Sequence, residues 1–224
     1  MKERGMIFNG EMVRAILDGR KTQTRRIIKD CTVGRDPISK FIKIGKKFIG
    51  CYPEDVPELI RECCPYGVPG DRIWVRETWA DAGASAPDLK LYRANYPEHV
   101  PSIYENVPPA KEIRWTPSIH MPRWASRILL EITDVRVERL NAISPEDAES
   151  EGLERTNFTG FGDEPGLPSY PEPDVYFDPL KKQWKEYPPE AFAGLWESIY
   201  GEGSWQANPW VWVIEFKRVE GGAA

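Results

Sequence analysis

Eight residues near the start of the chain, Gly19-Arg20-Lys21-Thr22-Gln23-Thr24-Arg25-Arg26, bring four cations and two hydroxyls into one short segment. A lysine held where a helix ends, rather than on a solvated helix face, is a candidate for recognition or catalysis, because loops on a rigid scaffold carry much of protein function. A solvated basic turn whose threonines hydrogen-bond their own backbone fits the same residues. A second segment bears on the choice. Arg72 to Trp79 reads as a strand after the turn at Tyr66 to Asp71, and alternation places Ile73, Val75 and Glu77 on one face and Trp74, Arg76 and Thr78 on the other. A carboxylate in line with two core side chains needs a cation, a donor or a raised pKa, and such sites are enriched in function. A strand end where Glu77 already emerges into solvent is the plain alternative.

The elements that must position these groups are legible around them. Asn9 can cap a helix from about Gly10 to Asp18 whose Met12, Ile16 and Leu17 share a face, and Gly19 follows where a helix stops in a left-handed conformation. The cationic segment then enters an extended stretch through Ile27-Ile28. Ile7-Phe8 reads as a short strand, and Phe41 to Ile44 with Lys46 to Ile49 as a hairpin around Gly45. Ile128 to Val137 is a strand whose apolar parity shifts near Thr133-Asp134, as a bulge would make it. Ser144-Pro145-Glu146-Asp147 starts a helix that ends near Gly152. A further helix, Glu190 to Tyr200, aligns Phe192, Leu195, Trp196 and Ile199 as a core stripe, and Trp210 to Val219 closes the chain as a buried strand.

Composition narrows the classes. The 224 residues suffice for one large domain or two small ones, and 21 prolines with 18 glycines argue for long irregular connections rather than a helix bundle. No apolar run approaches a membrane span and the N-terminus lacks a secretory h-region, so a cytoplasmic protein without a membrane partner is expected. Cys31, Cys51, Cys63 and Cys64 show no CxxC spacing and only His99 and His120 could join them, so neither a metal nor a cofactor is expected. The net charge of -5 is unevenly spread: residues 1 to 50 hold 13 Lys and Arg against 5 Asp and Glu, and the remainder holds 17 against 30. A basic first portion is suited to meeting a phosphate while the acidic remainder limits nonspecific binding. His120-Met121-Pro122-Arg123-Trp124 mixes imidazole, guanidinium and indole, which suits base stacking and an ordinary amphipathic loop alike.

Short strands interrupted by helices suggest a small closed or nearly closed β-barrel decorated by helices. Gly19-Arg20-Lys21-Thr22-x-Thr24-x-Arg26 after an amphipathic helix, Gly70-Asp71 leading into Val75-Arg76-Glu77, and Trp212 to Phe216 at the close together resemble the ASCH family, a branch of the PUA-like β-barrels. With the His120 to Arg127 run, the chain is similar to the longer ASCH proteins of bacteriophages and prophages. The resemblance implies an α+β, mainly β fold: one PUA-like barrel over residues 1–224, with flanking helices and insertions at about 30–65, 80–117 and 155–188.

The same resemblance implies an RNA- or nucleoside-facing cleft. Some small bacterial members are amidohydrolases that remove the acyl group from N4-acetylcytidine with a Lys, a Thr and a Glu, which match Lys21, Thr24 and Glu77. On that basis Lys21 activates Thr24 or a water, Thr24 is nucleophile or positioning hydroxyl, and Glu77 binds and protonates the cytosine amine. Arg20, Thr22, Arg25 and Arg26 beside Lys21, and Arg76, Trp79, His120, Arg123 and Trp124 farther along, are the substrate-binding candidates. No Cys-His or Ser-His-Asp arrangement is visible as an alternative catalytic set. The competing class is a noncatalytic module that reads RNA or single-stranded nucleic acid by a basic lip and by stacking on Trp79, Trp115 or Trp124.

Overall fold

The computed structural model describes residues 1–29, 31–33, 40–44, 47–51, 64–83, 86–156 and 175–219. In chain order its first elements are β1 (Glu3–Ile7), α1 (Gly10–Leu17), β2 (Gln23–Ile27), β3 (Cys31–Val33), β4 (Lys40–Ile44), β5 (Lys47–Cys51), β6 (Arg72–Arg76), β7 (Trp79–Asp81) and β8 (Lys90–Tyr92). After them come β9 (Leu129–Arg139), α2 (Pro145–Ser150), β10 (Arg155–Thr156), β11 (Val175–Asp178), β12 (Gln183–Lys185), α3 (Pro188–Tyr200) and β13 (Trp210–Arg218). The fold is α+β and mostly strand. The described residues gather into two compact units, the first from 1–19, 64–135 and 214–219, the second from 20–51 and 136–213.

In the first unit β1 runs parallel to β6, from Glu3 opposite Arg72 to Ile7 opposite Arg76, and β6 is antiparallel to β9 with Ile73 opposite Leu130. The end of β13 meets the start of β9, where the Val219 amide donates to the Leu129 carbonyl at 2.8 Å. Alternation along β6 is as its sequence predicts: Ile73, Val75 and Glu77 are buried, while Trp74, Arg76 and Thr78 are half-buried. The strand is shorter than expected, since regular pairing stops at Arg76 and Trp79 opens a separate strand, β7, against β8. The β9 alternation slips by one residue at the expected place, with Thr133 and Asp134 both turned out between buried Ile132 and Val135. Asn9 caps α1 by accepting from the Met12 amide at 2.8 Å, and Gly19 has a φ of 77°. The buried face of α1 is Val13, Ala15 and Ile16, one step round from the face expected, because Met12 and Leu17 are only half-buried.

The second unit holds the start of β13 beside the end of β2, where the Ile28 amide donates to the Trp210 carbonyl at 2.9 Å. Its core gathers Leu140, Phe192, Leu195, Trp196, Val211 and Val213. Ile199, expected in the α3 stripe, is 41% exposed, so the stripe ends one turn early. Of the hairpin expected from 41–44 and 46–49, residues 45 and 46 lie outside the described residues, and the rest is found as antiparallel β4 and β5, with β3 on the far side of β4. A further antiparallel sheet, β10-β11-β12, lies within the segment read as an insertion. Ser144 accepts from the Asp147 amide at 3.1 Å and Pro145 opens α2, as the capping pattern predicts. Among the described residues the sheets are open and none closes on itself as a barrel.

Candidate functional site

Strand β2 starts only at Gln23, so Lys21 and Thr22 lie just before it, antiparallel to the chain that leaves α2. Lys21 bridges to Glu151, and the Thr22 amide donates to the Ser150 carbonyl at 2.9 Å. Gln23, Thr24 and Arg25 are all buried, with Thr24 1% exposed, whereas Thr22 is exposed. Three consecutive buried residues mean that both faces of the strand are covered.

The Lys21 side chain is fully buried, and its Nζ donates to the Glu151 carboxylate and to the Glu151 carbonyl, each at 2.8 Å. Arg25 Nη1 reaches the other Glu151 oxygen at 3.1 Å, while its Nη2 donates to Asp147 at 2.7 Å and Glu138 at 3.3 Å. Arg136 closes the network on Glu138 at 2.5 Å and Asp147 at 2.6 Å. Gln23 donates to the Asp147 carbonyl at 3.0 Å. Three cations therefore meet three carboxylates, which fastens β2 to α2. Burial pushes the Lys21 ammonium below the ordinary lysine value. The charge and hydrogen bond of Glu151 pull the other way, and the nearby Arg26 and Arg25 add to the lowering. For Asp147 burial alone would raise the carboxyl, but the hydrogen bonds from Arg136 and Arg25 prevail and hold it below the usual carboxylate value.

Glu77 belongs to the first unit, and Lys21 and Thr24 to the second. The carboxylate does not emerge into solvent: it is 2% exposed although it follows the end of β6. Arg127 grips it bidentately, Nε to Oε1 at 2.9 Å and Nη2 to Oε2 at 3.0 Å. Arg127 also donates to Asn95 Oδ1 at 2.9 Å and lies 4.0 Å from the centre of the Tyr92 ring. The cation that the strand pattern requires is thus Arg127, and the acid paired with Lys21 is Glu151.

The other sequence-predicted residues scatter between these settings. Arg25 is committed to carboxylates with no exposed side-chain surface, and Arg20 donates to the Gly152 and Leu153 carbonyls at 3.0 and 3.1 Å. Arg26 is half-buried. In the first unit Arg76 donates to the Ser118 carbonyl at 3.2 Å and to that of Ile119, and Arg123 pairs with Glu3 at 2.9 Å. His120 is exposed. Trp79 is buried in a cluster with Tyr92, Met121 and Ala125, and Trp124, 66% exposed, meets it edge-on at 5.3 Å. Lys90 Nζ lies 5.4 Å from the Trp124 ring centre. Trp115 is half-buried, its indole N–H donating to the Ala110 carbonyl at 2.9 Å.

Sequence reasoning missed Glu151, Asp147 and Arg127. Glu151 and Asp147 had a usable signal, because the capping pattern at Ser144 places two acids on and just after a short helix. Nothing local marks Arg127 as the partner of a residue fifty positions earlier. Of the cysteines, Cys63 lies outside the described residues, and burial pushes the half-buried Cys64 thiol up. No protein-family model matches this chain, and neither does any curated protein or any solved structure.

Proposed function

We propose that the protein hydrolyses an acylated exocyclic amine of a cytosine-type nucleoside, with Lys21 and Thr24 at the reacting centre. The observation that carries this is the Lys21 amine, buried and pushed toward its neutral form two positions before a buried strand that includes Thr24. A neutral amine takes a proton from a hydroxyl or a water, that oxygen adds to the acyl carbon, and the C–N bond breaks as the amine nitrogen regains a proton. Water and amide give a carboxylic acid and cytidine, with no metal or cofactor entering. The ASCH-like residues around Lys21, Thr24 and Glu77 support the substrate class, and the part of Glu77 rests on that resemblance alone. The PUA-like barrel belongs to the same reading.

A second reading is favoured by a different observation. Lys21 has no exposed side-chain surface and closes an ion network, which suits a structural clamp. In that case function lies with the exposed Trp124 and the half-buried Lys90 and Arg123 near it in sequence or space, which would receive a single-stranded base by stacking and its phosphate by charge. Incubation with N4-acetylcytidine decides between them. Release of cytidine by the wild type, abolished in Lys21→Ala, is the expected result. Absence of release, with Trp124-dependent binding of a short RNA, would leave the binding module.

A further inference from the structure

We propose that Glu151 is the positioning residue of the Lys21 centre: its carbonyl and one carboxylate oxygen fix where the Lys21 nitrogen points and hold its proton. This rests on the reading of Lys21 as the reacting amine. Glu151 is suited to the task because it makes two contacts with one nitrogen, each at 2.8 Å, from backbone and side chain of the same residue. Two fixed acceptors leave the amine little freedom to swing. The residue is 3% exposed, so water does not compete for either contact. It is itself pinned, since Arg25 Nη1 takes its other oxygen at 3.1 Å and the Lys21–Glu151 bridge sets the backbone.

The charged groups around this pair come from every element packed there. Arg25 and Arg26 of β2 disfavour the Lys21 charge, and Glu151 favours it. Asp147 of α2 and Glu138 of β9 face Arg25, and Arg136 of β9 faces both of those acids. Glu151 is the carboxylate in hydrogen-bond contact with Lys21, so removing its charge leaves burial and two guanidiniums acting on the amine in one direction.

The test reads the Lys21 proton directly. Lysine carrying ¹³C at Cε is incorporated, the Lys21 signal is assigned as the one missing from Lys21→Arg, and its titration is followed in the wild type and in Glu151→Gln. The titration point is expected to fall by about 1–3 pH units in Glu151→Gln, the size of effect an opposite charge at this distance exerts. An unmoved titration point in folded Glu151→Gln overturns the proposal. If Glu151→Gln does not fold by circular dichroism, Glu151→Asp decides: its carboxylate is drawn back by one methylene, and a smaller fall is expected. An unmoved signal there overturns the proposal equally. The two ideas separate because this readout needs no turnover: no cytidine release from the wild type defeats the hydrolase reading, whereas an unmoved titration defeats the role of Glu151. If turnover is present, the limb of the pH–rate profile that reports loss of the Lys21 proton should move to lower pH by the same amount in Glu151→Gln.

Discussion

Lys21 shows how one buried charge constrains its surroundings. Taking an ammonium out of water is costly enough that it persists only with a carboxylate at contact distance, and Glu151 supplies one while Arg25 balances that carboxylate from the other side. Truncating Lys21 leaves Glu151 and Arg25 paired but strips Glu151 of one of its two cations. Because Arg25 still compensates Glu151, Lys21→Met should lower unfolding stability by about 1–3 kcal/mol, the cost of leaving one buried hydrogen-bond acceptor unmet, as measured by urea denaturation. A loss under about 1 kcal/mol would show that Arg25 alone satisfies Glu151 in the folded protein. Glu77 obeys the same physics with a different partner, the bidentate Arg127.

At the scale of elements, two junctions in the second unit hold particular residues in place. Gly194 on α3 faces the buried Asp178 at the end of β11, and a Cβ there would stand 1.9 Å from Asp178 Oδ1. That carboxylate cannot swing aside cheaply, because the Leu180 and Lys181 amides donate to it at 2.9 and 3.0 Å. Gly194→Ala should cost about 1–3 kcal/mol through overpacking, and adding Asp178→Ala should return part of the loss, a coupling that a double-mutant cycle reads directly. The second junction, α2 on β2, depends on pH. Asp147 titrates below its ordinary value when folded, so its contribution is fully present above about 3.8, the unfolded value, and is lost as pH falls through the lowered one. Acid unfolding below pH 4 should be less steep in Asp147→Asn, followed by far-ultraviolet circular dichroism. An identical acid limb in that variant would remove Asp147 as a contributor.

Over the whole molecule, the described chain forms two compact units, yet β9 and β13 each begin in one and end in the other. Backbone order propagates along a strand through its ladder, so the units should lose structure together. Tryptophan fluorescence and far-ultraviolet circular dichroism should therefore give one coincident denaturant transition. Two separated transitions would mean that the shared strands break at Val135–Arg136 and Val213–Ile214. The charge asymmetry also reads differently at this scale: Arg4 is held by Asp71, and Lys21 and Arg25 by Glu151, Asp147 and Glu138, so part of the basic first portion is neutralised within the fold.

By itself the sequence determined the local elements, because their causes are local. Asn9 and Ser144 as caps, Gly19 as a stop, the alternation through Ile73, Val75 and Glu77, and the slip at Thr133-Asp134 each follow from residues within one or two turns of where they act. It also determined that Glu77 needs a partner, since a carboxylate on a core-facing position is intolerable alone. Only the tertiary structure decided which partner, because Arg127 and Glu77, like Glu151 and Lys21, are brought together by strand pairing and helix docking over separations that no periodicity records. The sheet arrangement was likewise settled at that level, as closure or openness depends on how the strand edges meet, and hydrophobic patterning is the same in either case.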